Sequence, residues 1–178
     1  SAFQVVCKDE KDKILWDSGK IQSPRMQAVY AGERLESCSI VKWRVKLWNE
    51  NDEEGQWSDE ASFELGFLHP EDWRAKWITG DYKPKKKKRY PVDYFRKDLE
   101  IKQKVFKARL YITACGLYEA RLDGKKIGNQ CLTPGITDYR KRVQYQTYDV
   151  TELLSEGTHQ MQVALADGWY RGSTGAWG

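Results

Sequence analysis

The chain reads as all-β: two antiparallel β-sandwich modules in tandem. Three observations carry that expectation. Apolar residues recur at every second position in many short runs, the period of a strand with one buried face. Turn residues interrupt those runs at spacings that suit strands and hairpins. No segment shows the three- and four-residue apolar spacing of a long amphipathic helix.

Taken in order, Phe3, Val5 and Cys7 open the chain at strand spacing, and Trp16-Asp-Ser-Gly19 turns the chain after a second short strand. Val41, Trp43, Val45 and Leu47 alternate with Lys42, Arg44 and Lys46, the clearest strand in the sequence. Asn49–Gly55 reads as an acidic hairpin loop, and Trp57–Leu65 as the returning strand. Gly66-Phe-Leu-His-Pro70 breaks the pattern and serves as a linker, dividing residues 1–66 from residues 67–178. Trp73–Ile78 begins the second module, and a strand follows near Tyr94–Leu99. Ala108, Leu110, Ile112 and Ala114 share one face, then Tyr118, Ala120 and Leu122. Asp123-Gly124 is a two-residue hairpin signal of the primed type. Val143, Tyr145 and Thr147 make a further strand. Asp149–Gly157 reads as one helical turn ended by glycine, and Met161, Val163 and Leu165 as the last strand.

The 178 residues suffice for one large or two small domains with cores of their own. Mean hydropathy is −0.78, and no apolar run approaches the ~18–20 residues of a membrane span. No signal peptide is expected in the opening Ser1-Ala2-Phe3, which reads directly as a strand, and this says little about where the parent protein lives. Eight Trp and ten Tyr suit β-sandwich cores and also sugar-binding faces, where a flat ring covers the apolar side of a pyranose. The net charge of +4 conceals a local feature. Lys83-Pro-Lys-Lys-Lys-Lys-Arg89 contributes six positive charges, and removing them leaves the remainder at −2. Concentrated in one tract without interleaved aromatics, the run reads as a solvated loop. Nucleic-acid binding is therefore not expected. Cys7, Cys38, Cys115 and Cys131 lack paired metal-ligand spacing, and with only His69 and His159 beside them no zinc set forms. Both histidines sit near turns and read as structural.

Several segments carry a family resemblance. WDSGKIQS and VKWRVKLWNENDEEGQWSDEASFELG resemble the later strands of a fibronectin type III-like domain. DWRAKWI, ARLYITACGLYEARLDGKKIG, LTPGITDYRKRVQYQTYDVTELL and ADGWYRG resemble the N-terminal jelly-roll, galactose-binding-like β-sandwich of bacterial α-L-rhamnosidases, glycoside hydrolase family 78. The resemblance implies that the first module lacks its earliest strands and that the second continues past Gly178. It also implies a parent that cleaves terminal α-L-rhamnose with inversion in a separate (α/α)6 barrel, in a secreted or periplasmic setting. Inversion needs two carboxyls roughly 6.5–9.5 Å apart. No such pair can be named here: Glu119 and Asp123 read as solvated carboxylates on a hairpin, and the chain is expected to be inactive alone.

What remains is recognition or support. Asp167, Trp169, Tyr170 and Arg171 set aromatic faces beside a carboxylate and a guanidinium, a set able to stack a sugar and bond its hydroxyls. Thr133–Tyr139 reads as a tight turn holding Tyr139. By resemblance to modules that hold rhamnose through calcium, Asp81, Asn129 and the Pro134 carbonyl are candidate oxygen ligands. The expected partners are L-rhamnose-containing glycans and the parent's catalytic barrel. The alternatives are a pure interdomain scaffold or a polyanion-binding module through Lys83–Arg89. Truncated sheet edges predict self-association.

Overall fold

The structure, a computed structural model, describes residues 1–85, 88 and 90–172. The chain divides into two compact units, Ser1–Trp77 and Ile78–Gly178. Both are built from antiparallel strands. Of the basic run, Lys86, Lys87 and Arg89 lie outside the described residues.

The first unit contains β1 (Ala2–Lys8), β2 (Ile14–Asp17), β3 (Ile21–Gln22), β4 (Ile40–Trp48), β5 (Glu54–Trp57) and β6 (Ala61–Glu64). β1 and β4 form the central pair, with Val5 opposite Val45 and Phe3 opposite Leu47. β2 and β3 share the outer edge of β1, and β5 and β6 share that of β4. The expected single strand Trp57–Leu65 is therefore split, and a serine is the reason. Ser58 Oγ accepts from the Val45 amide at 3.0 Å, while the Ser58 amide donates to the Val45 carbonyl at 2.8 Å. Ser18 repeats the device on β1, its Oγ accepting from the Val5 amide at 2.9 Å and its amide donating to the Val5 carbonyl at 3.0 Å. A side-chain oxygen replaces a strand carbonyl in each case, so the outer chain can swing away without orphaning an amide.

The two faces of this sheet differ. On one, Phe3, Val5, Cys7, Trp43, Val45 and Phe63 look across a cavity of about 300 Å³ toward Met26, Ala28, Tyr30 and Leu35 of the irregular segment 23–38. On the other, cations and rings interleave. Lys20 Nζ lies 4.8 Å from the Trp48 ring, Lys46 Nζ lies 5.1 Å from Trp48 and 4.7 Å from Trp57, and the Arg44 guanidinium lies 4.4 Å from Trp57. Of the basic residues alternating along β4, Arg44 and Lys46 are thus stacked on rings, each such contact contributing about 0.5–1 kcal/mol, while Lys42 pairs with Asp12 at 3.1 Å.

The second unit contains β7 (Asp93–Ile101), β8 (Arg109–Ile112), β9 (Leu117–Leu122), β10 (Lys125–Lys126), β11 (Gln146–Asp149) and β12 (Gly157–Ala166), then a single turn, α1 (Gly168–Arg171). One sheet runs β10-β9-β12-β7, and β8 pairs with β11. Between them lies a core of Ala114, Tyr118, Ala120, Leu122, Ile127, Tyr148 and Val150, backed by Leu99, Leu110, Met161, Val163 and Leu165. β11 starts later than the expected Val143, and Trp73–Ile78 forms no strand. Residues 151–153 form a short 3-10 turn, started where Asp149 Oδ1 accepts from the Thr151 amide at 3.0 Å. All four cysteines are free thiols, and burial holds those of Cys7 and Cys115 above their ordinary pKa.

His159 is 8% exposed and works as a latch. Its Nδ1 lies 2.6 Å from Asp123 Oδ2, and its Nε2 lies 3.1 Å from the Ser155 amide and 2.9 Å from the Ser155 carbonyl. Asp123 Oδ1 in turn accepts from the Gln160 amide at 2.7 Å. The carboxylate read as solvated therefore ties the β9–β10 turn to β12. His159 is held above its ordinary pKa by the Asp123 hydrogen bond and the Ser155 backbone, and Asp123 below its own by the Gln160 amide and then His159.

Two predictions follow from this packing. The raised imidazole stabilises below its unfolded pKa of ~6.5 and loses that contribution as pH rises through its folded value. The lowered carboxylate stabilises above its unfolded pKa of ~3.9 and loses it as pH falls through its folded value. Melting temperature against pH should show a plateau between these limits, and Asp123→Asn should flatten both shoulders. Along β4, Val41 is fully buried and Leu47 is 48% exposed. In urea unfolding, Val41→Ala should cost about 2 kcal/mol and Leu47→Ala about 1 kcal/mol or less, although leucine loses more atoms.

Candidate functional site

β12 ends at Ala166, and the chain turns into α1 through Asp167 and Gly168. Gly168 has φ +50°, and a Cβ there would sit 2.7 Å from Leu117 Cγ. Gly116, at φ +126°, leaves a built Cβ 2.3 Å from the Ala166 carbonyl oxygen. Only paired glycines let the two chain segments cross so closely. That crossing fixes where the following turn points.

Within the turn, the Tyr170 and Arg171 amides donate to the Asp167 carbonyl at 3.2 and 3.3 Å. The Arg171 guanidinium pairs with Asp167 Oδ1 at 2.5 Å, donates to the Tyr82 hydroxyl at 3.2 Å and lies 3.9 Å from Asp93 Oδ2. Tyr82 donates to Asp93 Oδ2 at 2.8 Å and stacks on Tyr90 at 4.9 Å. The guanidinium lies 5.7 and 5.9 Å from these two rings. The Tyr90 hydroxyl accepts from the Lys85 amide at 2.9 Å. Arg171 thus fastens Tyr82, Tyr90 and Asp93 to the end of β12, a charge-assisted network among partly buried groups.

Asp167 and Arg171, expected to face a sugar, are chiefly committed to each other and to this network. Trp169 is half-buried. Tyr170 is the member left open, at 51% exposure, with its ring edge-on to Tyr139 at 5.3 Å and 75°. Tyr139 comes from the Thr133–Tyr139 turn, whose Thr133–Pro134 bond is cis. Thr133 ties that turn to β9 by donating its hydroxyl to the Tyr118 carbonyl at 3.0 Å and accepting from the Tyr118 amide at 2.9 Å. Burial, then the nearby Cys115, holds the Tyr139 phenol above its ordinary pKa, so it stays a neutral donor. It reaches the Gly135 carbonyl at 3.4 Å.

The calcium candidates are placed differently. Asp81 and Asn129 are exposed, while Pro134 is buried and its carbonyl accepts from the Gln146 side-chain Nε2 at 3.4 Å. Among the described residues no three His, Cys, Asp or Glu side chains gather as a metal group. Glu119 pairs with Arg121 at 2.7 Å and with Lys126 at 3.4 Å. Sequence reasoning missed Tyr82, Tyr90 and Asp93. The one available signal was that the two tyrosines bracket the basic run.

Comparison with known proteins places this architecture. Residues 1–69 match the family model of the Rha78A-like N-terminal immunoglobulin domain, and residues 103–178 that of the alpha-L-rhamnosidase N-terminal domain. An alpha-L-rhamnosidase of Formosa agariphila is 37% identical across 98% of the chain, and one of Alteromonas sp. is 38% identical across 97%. The chain spans 20% of each. The solved alpha-L-rhamnosidase of Aspergillus terreus superposes over 99% of the chain and 21% of its own, with TM-score 0.85 and 31% identity. That of Dictyoglumus thermophilum covers 95% of the chain and 21% of its own, with TM-score 0.83 and 34% identity. The fold and the matches define a pair of N-terminal β-domains from a glycoside hydrolase. The chain belongs to the α-L-rhamnosidases, glycoside hydrolase family 78, in their N-terminal region.

The Arg171 network yields a test. Arg171→Ala should loosen Tyr82 and Tyr90, and trypsin should then cleave after Lys85 and Lys88 several-fold faster. Tyr82→Phe, which removes the hydroxyl between Asp93 and Arg171, should cost about 1 kcal/mol in urea unfolding and give intermediate cleavage. Unchanged cleavage in both would show that the network does not hold Tyr82 and Tyr90 in place.

Proposed function

We propose that this region recognises carbohydrate for a rhamnosidase whose bond-breaking carboxylates lie elsewhere in the protein. The observation that carries the reading is the Tyr139–Tyr170 pair. One ring is open to solvent and held edge-on by the other, beside the polar Asp167–Arg171 turn. A fixed, exposed aromatic face loses little rotamer freedom when a pyranose stacks on it, and neighbouring polar groups can bond the hydroxyls. L-Rhamnose is the ligand of choice because its 6-methyl group adds apolar surface to a sugar face, and because the relatives are rhamnosidases.

A second reading, an interdomain scaffold, is favoured by the internal commitment of Asp167 and Arg171. The two readings separate in one experiment. Recognition predicts that millimolar L-rhamnose raises the melting temperature and that Tyr170→Ala abolishes the rise without lowering the unliganded value. Running it with calcium and with chelator tests Asp81, Asn129 and Pro134 as an ion site in the same samples. A scaffold predicts no shift with either addition.

A further inference from the structure

The outward face of the β7–β12–β9 sheet is a second candidate surface, remote in sequence from the Tyr139 turn. Cross-strand pairing puts Tyr94, Ala164 and Glu119 in one row, Arg96, Gln162 and Arg121 in the next, and Asp98 beside Gln160 in a third. These rows point away from the core, because Leu99, Met161, Val163 and Leu165 take the opposite positions. Tyr94 is 81% exposed, the most open aromatic residue on any strand of the unit. Its cross-strand neighbour is only an alanine, which leaves one side of the ring clear.

The rest of the face is a polar lattice. Arg121 pairs with Glu119 at 2.7 Å, Lys126 reaches Glu119 at 3.4 Å and Arg96 reaches Asp98 at 3.3 Å. Gln162 Nε2 donates to the Gln160 side-chain oxygen, and Gln160 Nε2 donates to Asp98 Oδ1 at 3.4 Å. Arg96, Arg121 and Lys126 balance Asp98, Glu100 and Glu119, all on this face. A face with no net charge offers no long-range attraction to a polyanion. Its apolar side chains are Tyr94, the alanines and, at the edge beside the Gly168 turn, Leu117, so it lacks the broad hydrophobic centre of a protein interface. What it fits is a neutral chain of hydroxyls with one ring to stack.

Resting on the carbohydrate-recognition reading, we infer that Tyr94, with Arg96, Gln162 and Arg121, forms an extended saccharide-binding platform that holds a rhamnose-containing oligosaccharide along the sheet. The test is titration calorimetry of the chain with an α-linked L-rhamnose tetrasaccharide and with free L-rhamnose. Tyr94→Ala should weaken tetrasaccharide binding about ten-fold, as loss of one stacked ring would, and leave free-rhamnose binding at Tyr170 unchanged. Tyr94→Trp should restore it. Both variants should keep the wild-type melting temperature, since Tyr94 contributes little to the core. If Tyr170→Ala weakens both ligands while Tyr94→Ala weakens neither, the platform is overturned and the Tyr139–Tyr170 reading stands. No binding by the wild-type chain overturns both. Sedimentation showing a dimer that Tyr94→Ala dissolves would assign the face to a second copy and overturn the platform.

Discussion

The larger sheet of the second unit is organised by β12, which pairs with β7 over Gly157–Leu165 and with β9 over Met161–Ala166. A strand paired on both sides cannot slip by one residue without sending its whole apolar set to water. Met161, Val163 and Leu165 are thereby committed to the core, and Gln160, Gln162 and Ala164 to the outer face. The same strand carries the His159 latch near its start and delivers Asp167 and α1 at its end. Latch, core, outer face and terminal turn are consequences of one register.

The terminal turn shows how a plausible binding set becomes a joint. Asp167 and Arg171 lie four apart, which one helical turn brings together, so the first partner each finds is the other. Tyr82 and Asp93 then complete the shell around the guanidinium. Such a shell rigidifies the turn, and the ring it leaves outside inherits a fixed orientation. The charged pair supports the aromatic contact surface instead of forming it.

Much of this was legible beforehand. The strands around Val41–Leu47, Tyr118–Leu122 and Met161–Leu165 declared themselves by strict alternation, and Asp123-Gly124 by its turn chemistry. Two kinds of feature were not legible. Ser58 splits a strand with one hydroxyl, and nothing in Trp57–Leu65 distinguishes a bonding serine from a solvated one. The Arg171 network joins residues about eighty positions apart, a separation that local pattern does not span. Asp123 failed for the same reason: its partner His159 lies thirty-six residues on. Helical reading of the Asp149–Gly157 stretch was nearer, because Asp149 bonds its own neighbour two residues ahead.

The serine breaks in the first unit reach beyond geometry. Chopping each flank of the β1–β4 pair into pieces of two to four residues leaves no long, straight rim on that sheet. A stray chain seeking a template would find only a few consecutive backbone groups before the path bends off. Two hydroxyls, at the cost of some strand length, thereby guard a tryptophan-rich module against fibre-like stacking.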